Sequence, residues 1–226
     1  MIYYHFFILF SFLFIVNTIG TIDDLIEEKE KEYNLKIKLL LRIFDSYESD
    51  NVSKFGDVFD TFNGGTFQSK YYVASSSNKL ITIKNVDDNG FNSESVSYLD
   101  DEHADKKFLL NIGDIVLTMT GNIGRSGIVD ENNCYLNQRV LKLDCSSKGY
   151  LFAYLVKYKK DIIQLGKGTA QLNLSLEDLK QLLVKNTKTK INEFKQYDSI
   201  FNSLINTKLV VKKAKEIKQI LLSKYF

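Results

Sequence analysis

Proline is absent from this chain, and its absence excludes one class of enzyme. DNA methyltransferases that modify base amino groups hold the flipped base with an Asn/Asp-Pro-Pro-aromatic loop, which a chain without proline cannot contain. No Gly-x-x-x-x-Gly-Lys-Ser/Thr run occurs either, so a phosphate-loop NTPase is excluded as well. Because no convergent acid–base or nucleophile set is visible, we predict a non-catalytic protein; an enzyme in its own right is the weakest alternative.

Cysteine and histidine are scarce. Cys134 and Cys145 could pair, but two cysteines in a chain of this size are typical of reduced thiols, which predicts a cytoplasmic protein. His5 and His103 are isolated, and neither stands with carboxylate or thiol neighbours at metal-ligand spacing. We interpret His103 as a solvated loop residue and predict neither a metal nor any other cofactor.

An excess of positive charge is confined to one segment. The formal net charge is only +2. Residues 46–185 carry 16 bases and 18 acids, residues 17–45 carry five bases and seven acids, and residues 186–226 carry nine lysines and three acids. A nucleic-acid surface in the middle of the chain must therefore be a local patch, and its binding should be weak without a partner.

Residues 2–16 form a nearly continuous apolar run without lysine or arginine. A membrane helix needs about 20 apolar residues, and a secretory signal has a basic start and a small-residue cleavage site. Three interpretations stay open. The run is either a helix or strand that packs on the body, or an ill-chosen start on a longer ancestral frame, or it is the anchor of a membrane-associated coiled-coil interaction protein.

Two long helices are predicted at the ends of the chain. The first has a coiled-coil seam at Ile22, Ile26, Lys29, Tyr33, Lys36, Leu40 and Ile43. Thr21 before Asp23 and Asp24 suits a helix start, which predicts a helix over 21–44. A similar pattern near the C-terminus includes Leu209, Ile217 and Leu221. The first helix is acidic and the second basic, so we predict that they pair; two unrelated amphipathic helices are the alternative.

Short strands and helices fill the region between them. Runs rich in Ile, Val and Phe predict strands at 55–62, 79–86, 114–120, 127–129 and 139–143. Helical spacing covers 150–164, and Ser175 with Asp178 resembles a capping box that opens a further helix. Residues 75–78 and 87–97 are predicted loops. The sum is an α+β fold with a compact mixed domain between two long helices.

The most informative motif is Gly113-Asp114-Ile115-Val116-Leu117-Thr118-Met119-Thr120-Gly121-Asn122-Ile123-Gly124-Arg125, followed by Asn-Gln-Arg at 137–139. A strand-like run leads into a glycine-bracketed loop with amide and guanidinium side chains. These groups read base edges in the DNA major groove, where Arg suits guanine and Asn or Gln suits adenine. The plainer interpretation is a tight turn whose polar side chains satisfy local backbone.

Several blocks in order resemble the DNA-specificity (S) subunit of type I restriction–modification enzymes. They are Phe55-Gly56-Asp57-Val58, Gly64-Gly65-Thr66, 81–86, 113–121, Leu136-Asn137-Gln138-Arg139-Val140 and 168–175. The resemblance implies a specificity subunit that reads half of a bipartite DNA site and does no chemistry. Its partners would be double-stranded DNA, the modification (methyltransferase) subunit and, beyond it, the restriction subunit, which carry the methyltransferase and endonuclease activities.

Family members carry two target-recognition domains, whereas this chain has one and resembles a half-length form. The implied organisation is an apolar run at 1–16, a first spacer helix at 17–48, a target-recognition domain at 49–185 and a second spacer helix at 186–226. The two helices are expected to pair as an antiparallel coiled coil. A homodimer, or pairing with another half-length subunit, would supply the second half-site.

The candidate contact residues follow from side-chain chemistry. We assign base reading to Asn122, Arg125, Gln138, Arg139, Gln171 and Asn173, and phosphate contacts to Lys84, Thr120, Lys167 and Thr169. Glycines 121, 124 and 168 lack a Cβ and would let backbone approach the duplex. Partner or dimer contacts are assigned to Ile22, Ile26, Tyr33, Leu40, Leu209, Ile217 and Leu221.

Overall fold

The computed structural model describes residues 2–46, 52–87, 90–92, 95–169, 171–185 and 195–225, with side chains of the first helix described from residue 13. The chain divides into two units. We call Met1–Leu39 together with Ser203–Phe226 the helical pair, and Leu40–Asn202 the sheet domain.

The helices are two long ones at the ends and four short ones between them, counted over the described residues. They are α1 (Ile2–Ser46), α2 (Phe55–Val58), α3 (Lys148–Lys157), α4 (Lys159–Gln164), α5 (Leu176–Gln181) and α6 (Lys195–Tyr225). Three 3-10 turns add Ser69–Tyr71, Ile83–Asn85 and Lys106–Phe108. Two long helices and a strand-rich middle confirm the predicted α+β class.

The predicted start of the first helix at Thr21 is wrong. The Thr21 hydroxyl donates to the backbone oxygen of Asn17 at 3.0 Å, one turn earlier inside α1. The apolar run 2–16 is itself helical, so α1 begins at Ile2 and the carboxylates of Asp23 and Asp24 lie in its interior. For the second helix, residues 186–194 lie outside the described residues.

In the helical pair, α1 and α6 run antiparallel. Asp23 pairs with Lys218 at 2.6 Å, and Glu30 pairs with Lys215 at 2.8 Å. Further along α1, the Lys36 ammonium donates to the Thr207 hydroxyl at 2.7 Å. The residue numbers of the partners on α6 fall as those on α1 rise, so the helices are antiparallel, as expected from the resemblance, and they pair as the charge patterns predicted.

The seam of α1 follows the predicted spacing. All seven seam residues, from Ile22 to Ile43, are buried or half-buried, whereas Leu25, Leu35 and Leu39 are exposed. The centre of the seam is polar because Lys29 and Lys36 occupy two of its positions. Both of these lysines donate hydrogen bonds to Glu32. These two hydrogen bonds lower the pKa of Glu32 to about 2.

Thirteen strands are present among the described residues of the sheet domain. They are β1 (Val52–Lys54), β2 (Asp60–Asn63), β3 (Tyr72–Val73), β4 (Asn78–Ile81), β5 (Val86–Asp87), β6 (Gly90–Phe91), β7 (Ser97–Leu99), β8 (Leu109–Leu110), β9 (Ile115–Thr118), β10 (Ser126–Ile128), β11 (Cys134–Leu136), β12 (Val140–Asp144) and β13 (Leu183–Lys185). They pair as β10-β9-β12-β2, β3-β7-β4-β11-β8, β1-β13 and β5-β6. Only the β4–β11 pairing is parallel among these.

The buried core lies between the two larger sheets. Strand β9 has neighbours on both sides and is buried at every position, which suits its unbroken apolar run. Its Val116 packs in one cluster with Ile81 of β4, Leu136 of β11 and Val140 of β12. The end of β9 is therefore held rigidly by close packing. At this end the informative motif leaves the sheet.

Three predicted elements differ from the structure. The predicted strand 55–62 begins as the helical turn α2, because this turn places the Phe55 and Phe59 rings on one face, 4.7 Å apart, in a buried aromatic cluster. The predicted strand 79–86 breaks at the 3-10 turn Ile83–Asn85, where Thr82 and Asn85 form a capping box. The predicted helix 150–164 divides at Tyr158 into α3 and α4.

The loop predictions were partly wrong. Asn78 begins β4 rather than ending a loop, since its Nδ2 donates to Asp101 and its backbone joins the sheet. The region 87–97 contains the β5–β6 pairing, although residues 88–89 and 93–94 lie outside the described residues. The predicted Ser175 cap is confirmed, because its hydroxyl accepts from the backbone of Glu177 and Asp178.

Candidate nucleic-acid interface

One backbone position joins the three polar segments that the sequence singled out. Directly after β9, the Met119 N–H donates to the backbone oxygen of Arg139 at 3.1 Å. The Met119 carbonyl accepts from the N–H of Leu174 at 2.8 Å. The first segment (119–125), the second (137–139) and the third, which is described over 167–169 and 171–174, are therefore adjacent. Together we call them the reading surface.

The first segment is a tight loop closed by its own backbone. Gly121 and Gly124 have φ angles of 71° and 79°, a left-handed conformation that favours glycine. The Thr118 hydroxyl donates to the backbone oxygen of Asn122 and accepts from the Arg125 N–H. The Asn122 side chain is left exposed at the tip of the loop.

Arg125 is more constrained than its sequence position suggested. Its guanidinium is half-buried and lies 3.7 Å from the Asp87 carboxylate. No sequence pattern indicates this role for Asp87, which lies in a predicted loop. A nucleic acid that approaches Arg125 would therefore compete with a carboxylate already in place.

The second segment is fixed from behind by another part of the chain. The backbone of Gln138 donates to Gly65 at 2.9 Å, and the backbone of Asn137 donates to Ile81 at 3.0 Å. Both the Gln138 and Arg139 side chains are exposed. The Thr66 hydroxyl donates to Oε1 of Gln138 at 2.6 Å, a contact that the sequence analysis missed.

The third segment is a loop closed at its neck. Lys167 and Asn173 exchange two backbone hydrogen bonds of 2.9 Å each, and Thr120 forms a β-bridge with Asn173. The side chains of Thr169, Gln171 and Asn173 are exposed. The Gly121 N–H also donates to the backbone oxygen of Leu172 at 2.9 Å. The loop therefore lies against the first segment.

Lys167 has a carboxylate partner, as Arg125 does. Its ammonium lies 2.8 Å from Oδ2 of Asp178, in the first turn of α5. The Lys167 side chain is nevertheless 77% exposed, so the pair is largely solvated. The sequence pattern identified Asp178 only as part of the helix cap.

Lys84 lies at the edge of the reading surface. It is exposed in the 3-10 turn that follows Thr82. Its neighbour Ile83 packs close to Gly121, since a Cβ there would lie 3.4 Å from Ile83 Cδ1 and from Nε2 of Gln171. The ten predicted contact residues thus belong to segments in direct contact or to the turn beside them.

At the end of β9 opposite to the loop, Asp114 holds the start of the strand. Its side chain is 3% exposed and lies 2.9 Å from the Lys142 ammonium and 3.0 Å from that of Lys148. Burial by itself raises the pKa of Asp114, but hydrogen bonds from the Asn111 backbone, Lys142 and Lys148 outweigh it and lower the pKa. The carboxylate is therefore a buried structural anion.

The remaining titratable candidates, Cys145 and His103, are held by their surroundings. Burial raises the pKa of Cys145 to about 11, so its thiol is protonated at neutral pH. His103 lies in a turn, as predicted, but it is half-buried rather than fully solvated, because its ring stacks on Tyr71 and its Nδ1 lies 2.8 Å from Asp100. In the described ranges, no group of three or more His, Cys, Asp or Glu side chains could hold a metal ion.

The predicted partner residues of the long helices differ in exposure. Tyr33 and Leu40 are buried, and Ile22, Ile26, Leu209 and Leu221 are half-buried. Ile217 is 42% exposed. Across the part of the chain that was searched, no helix has the length and apolar character needed to cross a membrane.

Comparison with known proteins gives a family match and a shared fold. Residues 48–220 match the model of the type I restriction modification DNA specificity domain. The S subunit of a type I restriction–modification system from M. genitalium shares the fold, with a TM-score of 0.58, 14% identity and coverage of 94% of this chain and 59% of that one.

Two further structures share the fold. The HsdS subunit from Thermoanaerobacter tengcongensis has a TM-score of 0.51 at 13% identity, covering 93% of this chain and 55% of that one. A chain from a structure of complex assembly and conformational transition in the type I R-M system has a TM-score of 0.52 at 11% identity, covering 95% and 57%. No curated protein matches.

The chain spans between 55% and 59% of the length of these three structures. The family model covers most of the sheet domain and most of α6, and the matched residues include the reading surface. The chain therefore belongs to the family of type I restriction modification DNA specificity domains.

Proposed function

We propose that this chain is a sequence-specific DNA-binding specificity subunit that reads one half of a bipartite target. The observation that carries the proposal is the position of Met119, whose backbone joins three polar segments into one surface. Base edges are read by a few side chains held in fixed relation, and such a surface needs a rigid support. The buried strand β9 supplies that support.

The exposed amides and Arg139 are the groups best suited to base edges. Asn122, Gln138, Gln171 and Asn173 can each donate and accept on one base, and Arg139 can donate twice to guanine. Gly121 and Gly168, both with positive φ, leave the backbone uncovered beside them. A duplex can approach this surface closely for that reason.

Charge on the surface predicts weak binding by the isolated chain. Two of its cations, Arg125 and Lys167, are paired with Asp87 and Asp178. Phosphates must displace or share these pairs, so fewer counterions are released than the number of cations suggests. We therefore expect tight binding only when a modification subunit adds its own contacts.

The helical pair is the proposed docking element for that partner. Leu25 is 39% exposed and Leu35 is 63% exposed on α1, while Ile217 is 42% exposed on α6. Leu25 and Ile217 lie at the same level, because Asp23 pairs with Lys218. Exposed apolar side chains in neighbouring helices are typical of a helix-packing interface.

A second reader is needed for a bipartite site, and we propose that it comes from another copy or another half-length subunit. Light scattering of the full chain with its modification subunits and DNA tests this stoichiometry. We expect two specificity chains in each complex. A complex that contains one chain and still reads both half-sites would contradict this part of the proposal.

Methylome sequencing of host DNA tests the function most broadly. Genomic DNA is compared from cells with the intact gene, without it, and with Arg139→Ala. We expect a bipartite methylated motif that disappears without the gene and changes or fades with Arg139→Ala. Lys106→Ala, at an exposed lysine outside the reading surface, serves as the matched control. An unchanged methylome after gene removal would refute the proposal.

A further inference from the structure

The Gly64-Gly65-Thr66 segment has a geometry that the proposed function does not yet explain. Gly65 forms a β-bridge with Asn137, and its N–H donates to Leu136 at 2.8 Å. The Gly65 carbonyl accepts from Gln138 at 2.9 Å. The segment is thus bonded, residue by residue, to the part of the chain that carries Gln138.

Glycine is required at both positions for this close approach. A Cβ on Gly64 would lie 2.2 Å from the backbone oxygen of Asn137, and a Cβ on Gly65 would lie 2.6 Å from the ring of Phe108. Distances this short are excluded by steric repulsion: the backbone beside Gly64 cannot move aside as a flexible side chain can, and beside Gly65 the Phe108 ring would have to shift. The two glycines bring the next residue, Thr66, directly beside Gln138.

The contact between these two side chains involves one end of the amide. The Thr66 hydroxyl donates to Oε1 of Gln138 at 2.6 Å, and both residues are exposed. Nε2 of Gln138 donates to no partner within the described ranges. Its N–H groups are therefore available to a hydrogen-bond acceptor on a base.

We propose that Thr66 is a positioning residue that determines specificity by fixing the amide of Gln138. A free glutamine amide can rotate and exchange its donor and acceptor ends, so it tolerates base edges of either kind. The bond to Thr66 holds the amide in one place, and with Oε1 as the bonded end, as in the structure, Nε2 is the donor left for a base edge with an acceptor at that place. Thr66 itself touches no base in this mechanism.

The proposal rests on the proposed function, and its effect can be separated from loss of folding. Removing one neutral hydrogen bond is expected to reduce discrimination at one base pair about fivefold. Damage to the fold lowers modification at every site equally. Relaxed discrimination instead adds modified sites that differ from the motif at a single position.

The experiment is methylome sequencing of host cells that carry the full-length gene with single substitutions. Thr66→Val removes the hydroxyl and keeps the shape, Thr66→Ser keeps the hydroxyl, and Gln138→Ala removes the amide. Thr61→Val, on β2, is the matched control, because it makes the same change at a threonine that has no side-chain partner among the described residues. We expect Thr66→Val and Gln138→Ala to relax the same base pair, whereas Thr66→Ser and Thr61→Val keep the wild-type motif.

Three results would overturn the inference. In the first, Gln138→Ala relaxes one base pair while Thr66→Val keeps the motif unchanged; the proposed function then stands without a role for Thr66. In the second, Thr66→Val lowers methylation uniformly, which makes it a support of the fold. In the third, Gln138→Ala leaves the motif unchanged. Failure of the proposed function is distinct, since no motif would then depend on the wild-type gene.

Discussion

The sheet domain and the helical pair each hold one carboxylate between two lysines, in different surroundings. Asp114 of the sheet domain is buried, with its side chain 3% exposed between Lys142 and Lys148. Glu32 of the helical pair is bonded to Lys29 and Lys36 but is 35% exposed. Both carboxyls have a lowered pKa.

The difference shows which forces hold each unit. Most of the fully buried side chains belong to the sheet domain, including the aromatic cluster around Phe59 and Tyr154. In the helical pair, Leu204 is fully buried, but Thr207 is buried as well, and ion pairs flank the seam. We therefore expect apolar packing to dominate the sheet domain, and solvent-sensitive polar contacts to tune the helical pair.

The largest effect is expected from Phe59→Ala in the sheet domain. Phe59 is 2% exposed and contacts the rings of Phe55 and Tyr154. Its truncation should lower the free energy of unfolding by about 4 kcal/mol, measured by denaturant titration with circular dichroism. Phe62→Ala is the control, because Phe62 is 50% exposed. Equal losses for the two variants would contradict the packing account.

A somewhat smaller loss in the free energy of unfolding is expected from Asp114→Asn. The change leaves Lys142 and Lys148 without their shared anion at a buried site, which should cost about 3 kcal/mol at neutral pH. Because the pKa of Asp114 is lowered in the folded state, its contribution exists above the unfolded pKa. It disappears as the pH falls through the folded pKa, so denaturant titrations of both proteins should converge in acid. A constant difference at all pH values would contradict this assignment.

The helical pair should respond to pH through Glu32. Hydrogen bonds from Lys29 and Lys36 lower its pKa from 4.5 to about 2, so its stabilising effect is present above pH 4.5 and is lost as pH falls toward 2. Glu32→Gln should therefore unfold more easily than the native chain at neutral pH, by less than Asp114→Asn. The free energies of unfolding of Glu32→Gln and of the native chain should match near pH 2. A Glu32→Gln penalty larger than that of Asp114→Asn would reverse the comparison.

The smallest effect is expected from reversing one charge between the long helices. Lys218→Glu places two carboxylates together near Asp23, and the expected loss is about 0.5 kcal/mol because the pair is exposed. The double variant Asp23→Lys with Lys218→Glu restores the attraction and should recover the loss. About 1 M salt should erase the difference between single and double variants. A penalty that persists in salt would mean that packing, not charge, changed.

Much of the fold could be predicted because local patterns determined it. The spacing of Ile22, Ile26, Tyr33 and Leu40 indicated the buried face of α1, and the apolar run 115–118 indicated β9. Phe55 and Phe59 misled the prediction, because β-favouring aromatics four residues apart also suit a helical turn. Tertiary packing of the two rings decided between these possibilities.

Candidate residues for the site could be named from the sequence, but their arrangement in space could not. Glycines, amides and arginines in order indicated the three segments. The bonds from Met119 to Arg139 and Leu174 join residues far apart in sequence, which no local pattern reveals. The same holds for the carboxylates of Asp87 and Asp178, which pair with predicted DNA contacts. The Gly64-Gly65-Thr66 run was visible, but its role depends on the register with Asn137.

Amide hydrogen exchange of the full chain, with and without its target duplex, tests the central claim most directly. The claim is that segments 119–125, 137–139, 167–169 and 171–174 form one DNA-binding surface. We expect all of them to gain protection together on the specific duplex, while 97–110 stays unchanged. Protection confined to one segment, or found only outside this set, would contradict the account.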